Sequence, residues 1–291
     1  MLREVKVPDL EINVPQGSAF AYETPKNMPK AHFLAACIAP RGGGKTVIVV
    51  NLLERMPIDR LIVISPSMLS NKPLMDRLKP VLDQKDIFDD PNDISCIDKV
   101  IAICDKERDD FDEYHAKMKR LQQSKKKTHG LFALENESFV KEDIPKHRWN
   151  GRRPFLALFC DDVFGANLMI GKGAQKIANL CIKHRHISPV KTGGSIGISC
   201  IFAMQAYKSN LGGLPKALRG NLTMLIIGKL KSALDLDSVA EECSGEISRE
   251  EFQLVYDRAT DTPHSFLLID LFKKDFHPSR FRVGLDTFLV V

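Results

Sequence analysis

The sequence predicts an α/β fold wound on both faces of a mostly parallel sheet, and three adjacent segments of this 291-residue chain predict it. Phe33 to Ile38 (FLAACI) is a short, uninterrupted apolar run, the pattern of a strand buried on both faces. A glycine loop follows it, and then a helical stretch, TVIVVNLLERM. Arg60 to Ser65 (RLIVIS) is a second buried strand, stopped by Pro66, and it closes a β-α-β unit.

The other elements follow from the same patterns. Residues 1 to about 32 hold four prolines and polar stretches, which predict an extended arm rather than a helix. Residues 33–291 are expected to form one large domain, with a helical and loop insertion at about 85–153. Within it, Ile97, Val100, Ile101, Cys104, Phe111, Tyr114, Met118 and Leu121 keep helical spacing. That helix begins acidic (DKERDDFDE) and ends basic (KMKRLQQSKKK), the order that offsets a helix macrodipole on a solvated surface. Gly130 to Pro154 is expected to be loop-rich. Further buried strands are expected at Phe155–Cys160, Ile198–Met204 and Met224–Ile227, with GAQKIANLCIKH a helix between the first two. A helix at Arg249–Arg258 and strands in SFLLIDL and TFLVV complete the chain.

Composition bounds the function classes. Hydrophobic residues at 44% and charged residues at 27% suit a soluble globular protein, and no apolar run reaches the length of a membrane span. The N-terminus lacks the apolar centre of a secretion signal, so the expected location is the cell interior. The seven scattered cysteines, never in a C-x-x-C pair, are expected to be reduced core residues. A net charge of +5 is compatible with a polyanion along one face.

The chemistry sits in the glycine loop. Ala39-Pro40-Arg41-Gly42-Gly43-Gly44-Lys45-Thr46 lies between a buried strand and a helix. There, backbone N–H groups and a helix N-terminus face a bound anion. The segment Arg41, Gly42, Gly43, Gly44, Lys45, Thr46 and Val47 is the expected cradle for ATP, with Lys45 on the β and γ phosphates and Thr46 on Mg²⁺. Ala39 replaces the usual first glycine, which the loop tolerates if that position needs no positive φ. Phe155–Cys160 runs into Asp161 and Asp162, expected as the metal-side acid and the acceptor of the attacking water's proton. Gln205 ends the strand ISCIFAM and is a candidate γ-phosphate sensor or a solvated strand end. Arg185 and Arg219, the arginines nearest that strand in sequence, are candidates for the transition-state phosphate or for surface ion pairs.

Taken in order, these residues resemble the virion-packaging ATPases of the FtsK/HerA superfamily found in poxviruses and other eukaryotic DNA viruses. ACIAPRGGGKT, LIVISPS, LALFCDD, KHRHI, IFAMQ and LPKALRGN carry the resemblance, which continues through EFQLVYDRAT and HSFLLID. It implies an additional-strand P-loop NTPase assembled as a homo-oligomeric ring, a hexamer being expected, that drives double-stranded DNA without sequence preference into a preformed capsid. Capsid proteins, and a place in the host cytoplasm, nucleus or virion, follow from it. It also implies that Gln205 senses the γ-phosphate and that Arg185 reaches the neighbouring subunit's ATP. The extra PVKTGGSIG before the sensor strand leaves Lys191 and Arg219 as substitutes. Lys117–Lys127 and Lys146–Arg153 are the candidate DNA patches. The competing readings are another DNA pump of the superfamily, a helicase, or a nucleotide-binding virion component with little turnover.

Overall fold

The computed structural model describes residues 22–128, 145–209, 212–245 and 247–291, with side chains of the long helix described through residue 123. Among them a nine-stranded sheet has the order β3-β2-β4-β5-β1-β6-β7-β8-β9. Strands β1 (Leu34–Ile38), β2 (Arg60–Ile64), β4 (Leu156–Asp161), β5 (Ser199–Met204) and β6 (Met224–Ile227) are the predicted apolar runs. They pair in parallel, each buried on both faces, because backbone polar groups are satisfied by neighbours while side chains enter two cores.

The pleat divides those cores. Leu34, Ala36 and Ile38 face one core, and Phe33, Ala35 and Cys37 face the other. Helices α1 (Lys45–Glu54) and α2 (Lys72–Leu78) cover the second face. The first face carries α3 (Cys96–Thr128), α4 (Gly171–Lys183), α5 (Lys216–Arg219), α6 (Ala233–Cys243) and α7 (Arg249–Ala259). All seven cysteines are buried and unpaired, as their apolar settings predict. No helix among the described residues is long and apolar enough to cross a membrane.

Beyond β6 the sheet turns antiparallel through β7 (Leu267–Asp270), β8 (Phe281–Val283) and β9 (Thr287–Leu289). Residues 22–32 form no helix or strand and are strapped to this C-terminal part: Lys274 donates to the Lys26 and Met28 carbonyls at 2.8 and 3.0 Å. The rest of the expected arm, and residues 129–144 of the expected loop-rich stretch, lie outside the described residues.

Two features depart from the sequence reading. Strand β3 (Leu82–Phe88, LDQKDIF) pairs in parallel with β2, inside the stretch where the expected insertion begins; its charged residues hide an edge strand. The acidic start of α3 is not wholly solvated either. Glu107 and Asp112 are buried, and Glu107 joins Asp86 in pairing the buried Arg60 at 2.7 Å. Glu107 also accepts from Trp149 Nε1 at 2.6 Å.

Candidate nucleotide site

Every parallel strand ends at the same edge of the sheet, so the loops after β1, β2, β4 and β5 converge there. The β1–α1 loop bends through positive φ at Gly42 (75°) and Gly44 (85°), the latter being the N-cap of α1. Such a loop turns successive N–H groups toward one concavity at the positive end of a helix, where an anion is favoured. Ala39 does not have positive φ and is fully buried, which is why alanine is accommodated there. A Cβ at Gly43 would sit 3.0 Å from Ala39 Cβ and from the Pro40 carbonyl oxygen, so the loop closes tightly on itself.

Lys45 is buried with its Nζ donating to the Pro40 carbonyl at 3.1 Å, folded back over the loop. Thr46 Oγ1 donates to Asp161 Oδ2 at 2.7 Å, joining the start of α1 to the end of β4. Asp161 is 1% exposed, and burial, reinforced by the Asp162 charge, pushes its carboxyl up to about 6; the Thr46 hydroxyl and the Lys45 ammonium oppose the rise. Asp162 adopts φ 52°, a left-handed conformation that aspartate tolerates. Its N–H donates to Asp161 Oδ1 at 3.1 Å and its Oδ2 accepts from Ser67 Oγ at 2.9 Å.

Two adjoining cavities of about 370 Å³ each make up the cleft. One is lined by Arg41, Gly42, Gly44, Lys45, Val47 and Gln205, among others, and the second by Asp161, Ser67, Met68 and Ser70; Thr46, Asn71 and Asp162 belong to both. Parallel pairing puts Met204 level with Ile38, so Gln205 emerges beside the start of the loop. The fold thus brings together the predicted Arg41–Val47 segment, Asp161, Asp162 and Gln205. Sequence reasoning missed Ser67, Ser70 and Asn71; the signal was that Pro66 stops β2 at this same edge.

The arginines are elsewhere. Arg185 lies between α4 and β5, at the opposite edge of the sheet, and is exposed; among the described residues it makes no hydrogen bond or ion pair. Five-residue β1 alone spans about 16 Å, so Arg185 cannot reach the P-loop of its own chain. Next to it, His184 is buried and bonds the His32 carbonyl at 2.8 Å, which fixes the turn. The PVKTGGSIG segment folds back as a small hairpin and, with the preceding Ser188, lies against α3: Ser188 Oγ donates to Asp105 at 2.8 Å and Lys191 N–H to Asp112 at 3.0 Å. Arg219 is engaged within its own chain, donating to the Leu214 carbonyl at 2.8 Å and to Glu242 at 3.0 Å.

A strand, β5, stands between the P-loop strand β1 and the acid-bearing strand β4. That insertion, with the glycine loop on β1, defines the chain as an α/β P-loop NTPase of the additional-strand type. No protein-family model matches the sequence, and no curated protein matches it. Among solved structures, the chain resembles the genome packaging NTPase B204 from Sulfolobus turreted icosahedral virus 2, in complex with sulfate, at 10% identity and a TM-score of 0.44, over 90% of this chain and 100% of that one. B204 from Sulfolobus Turreted Icosahedral Virus, a DNA-packaging ATPase, matches at 11% identity and TM-score 0.45, over 89% and 99%. The pCW3 conjugation coupling protein TcpA with ATPγS matches at 13% identity and TM-score 0.43, over 89% of this chain and 62% of that one.

Proposed function

We propose that the protein hydrolyses ATP and uses the energy to move double-stranded DNA, as the packaging motor of a virus. The observation that carries the first half is the convergence of Lys45, Thr46, Asp161, Asp162 and Gln205 on one cleft at the end of α1. The triphosphate lies in the Arg41–Val47 cradle, its β and γ charges offset by the loop N–H groups and by Lys45 swinging from the Pro40 carbonyl.

Thr46 Oγ1 and Asp161 Oδ2, two oxygen ligands 2.7 Å apart, fit Mg²⁺. When bound there, Mg²⁺ supplies charge compensation for the phosphates. Asp162 accepts the proton of the attacking water as the new O–P bond forms and the bond to the bridging oxygen of ADP breaks; Ser67 holds its carboxylate in place. Gln205 reports the γ-phosphate.

The second half rests on the residue-level resemblance to packaging ATPases and on Arg185. This arginine is exposed at the far edge of the sheet, out of reach of its own cleft, and is accessible to the cleft of a neighbouring copy. The protein then works as a ring, expected to be a hexamer, that engages DNA phosphates and docks on capsid proteins. Of the substitutes, Arg219 is held within its own chain by Glu242, which favours Arg185 over it.

Steady-state ATP turnover with and without mixed-sequence duplex DNA, across a salt series, tests this function. Stimulation that fades with rising salt supports it. Turnover indifferent to DNA at every salt concentration favours a nucleotide-binding virion component instead.

A further inference from the structure

A cavity of about 530 Å³ opens at the sheet edge opposite the ATP cleft, between α5, the end of α6 and the β7–β8 turn. Three cations, Lys216 and Arg219 from α5 and Arg280 from immediately before β8, line it, against one carboxylate among the described lining residues, Glu242. That carboxylate is already committed: it accepts from the Tyr207 hydroxyl at 2.8 Å and pairs with Lys208 at 2.9 Å and Arg219 at 3.0 Å. Arg219 is thereby fixed as one wall, its guanidinium 5.4 Å above the Tyr207 ring. Lys216 and Arg280 form no ion pair among the described residues, and Lys216 is exposed. Gly245 has φ 75°, and a Cβ there would overlap the Arg280 guanidinium, so the glycine lets that side chain lie against the backbone. Leu222 and Leu271 give an apolar floor, and Phe272, 66% exposed, stands at the rim.

In the patches that sequence alone suggests for DNA, several described cations already have partners. Arg152 is paired with Asp59, Arg153 donates to the Ser195 carbonyl at 3.2 Å, and Lys117 pairs with Glu113. We propose that the Lys216–Arg219–Arg280 cavity grips a backbone phosphate of the DNA, an inference that rests on the DNA reading above. A phosphodiester accepts several donors at once, and its deoxyribose suits the apolar floor beside the cations. The ATP of the same chain lies at the other edge of the sheet and does not compete for the cavity.

Binding of a fluorescein-labelled mixed-sequence duplex, measured against salt for the full chain and for Lys216→Gln/Arg280→Gln, tests the site. The double variant removes both charges, keeps polar side chains and leaves the P-loop, Asp161 and Arg219 intact. We expect its log-affinity against log-salt slope to fall by about 1 and its low-salt affinity to drop about tenfold, while basal ATP turnover and the melting temperature stay unchanged. Unchanged slope and affinity overturn the site while leaving the proposed function standing. An unchanged DNA isotherm with weaker binding of a poly-glutamate peptide also overturns it, and assigns the cavity to an acidic protein partner. If the wild-type chain binds no duplex even at low salt, the DNA reading itself falls, and this site with it.

Discussion

Replacing Asp161 with asparagine should stabilise the ligand-free protein while abolishing its use of Mg²⁺-ATP. Burial raises the Asp161 carboxyl to about 6, so the folded state holds that proton more tightly than the unfolded chain does. The folded protein therefore binds more protons between about pH 4 and pH 6, and stability falls as pH rises through that window. A rise of about two pH units corresponds to roughly 3 kcal/mol lost above pH 6, as an upper limit. Asparagine carries no such charge. Its Oδ1 can accept from the Asp162 N–H and its amide can donate to Thr46 Oγ1, preserving both contacts seen at 3.1 and 2.7 Å. Without ligand at pH 8, Asp161→Asn should melt several degrees above wild type, on the order of 5 °C, and at pH 4 the two should coincide. Adding Mg²⁺-ATP should reverse the pH 8 order, because only the wild type gains stability from binding. Differential scanning calorimetry across pH reads all three comparisons. An asparagine variant that melts below wild type at pH 8 without ligand would show that the ionised Asp161 carboxylate does not destabilise the ligand-free fold.

Other perturbations separate the roles within and beyond the cleft. Asp162→Asn should retain ATP affinity while slowing turnover about a hundredfold or more, since it removes a proton acceptor and not a phosphate contact; equilibrium binding beside single-turnover kinetics reads the split. Arg185→Ala should be nearly inactive alone yet regain turnover when mixed with Lys45→Ala, because a mixed boundary pairs an intact P-loop with an intact arginine. No recovery in rings shown to be mixed would remove Arg185 from the neighbour's site. Arg60→Met strands the buried Asp86 and Glu107 without their cation and should cost about 3–5 kcal/mol in urea denaturation, whereas exposed Arg249→Met should cost less than about 1 kcal/mol.

How far the sequence could be read depended on whether a residue's neighbours are local or brought in by the fold. The strands around β1 were legible because two-sided burial leaves an unbroken apolar run, and GGGKT was legible because its loop is contiguous between one such strand and a helix. Strand β3 was not, since an edge strand keeps Asp83, Gln84 and Lys85 exposed and loses the pattern. Ser67 and Asn71 enter the cleft only because β2 ends beside β4, a fact of strand order. The arginines show the same limit. Closeness in sequence to β5 made Arg185 and Arg219 equal candidates, and only the fold shows one exposed at the far edge and the other held by Glu242.

We propose that this cleft hydrolyses ATP in the service of DNA movement. Phosphate release from Mg²⁺-ATP, followed for wild type and Lys45→Ala side by side with and without duplex DNA at low salt, tests it most directly. We expect turnover in the wild type that rises on adding DNA, and none above background in Lys45→Ala under either condition while that protein remains folded. Equal phosphate release by the two proteins would contradict it.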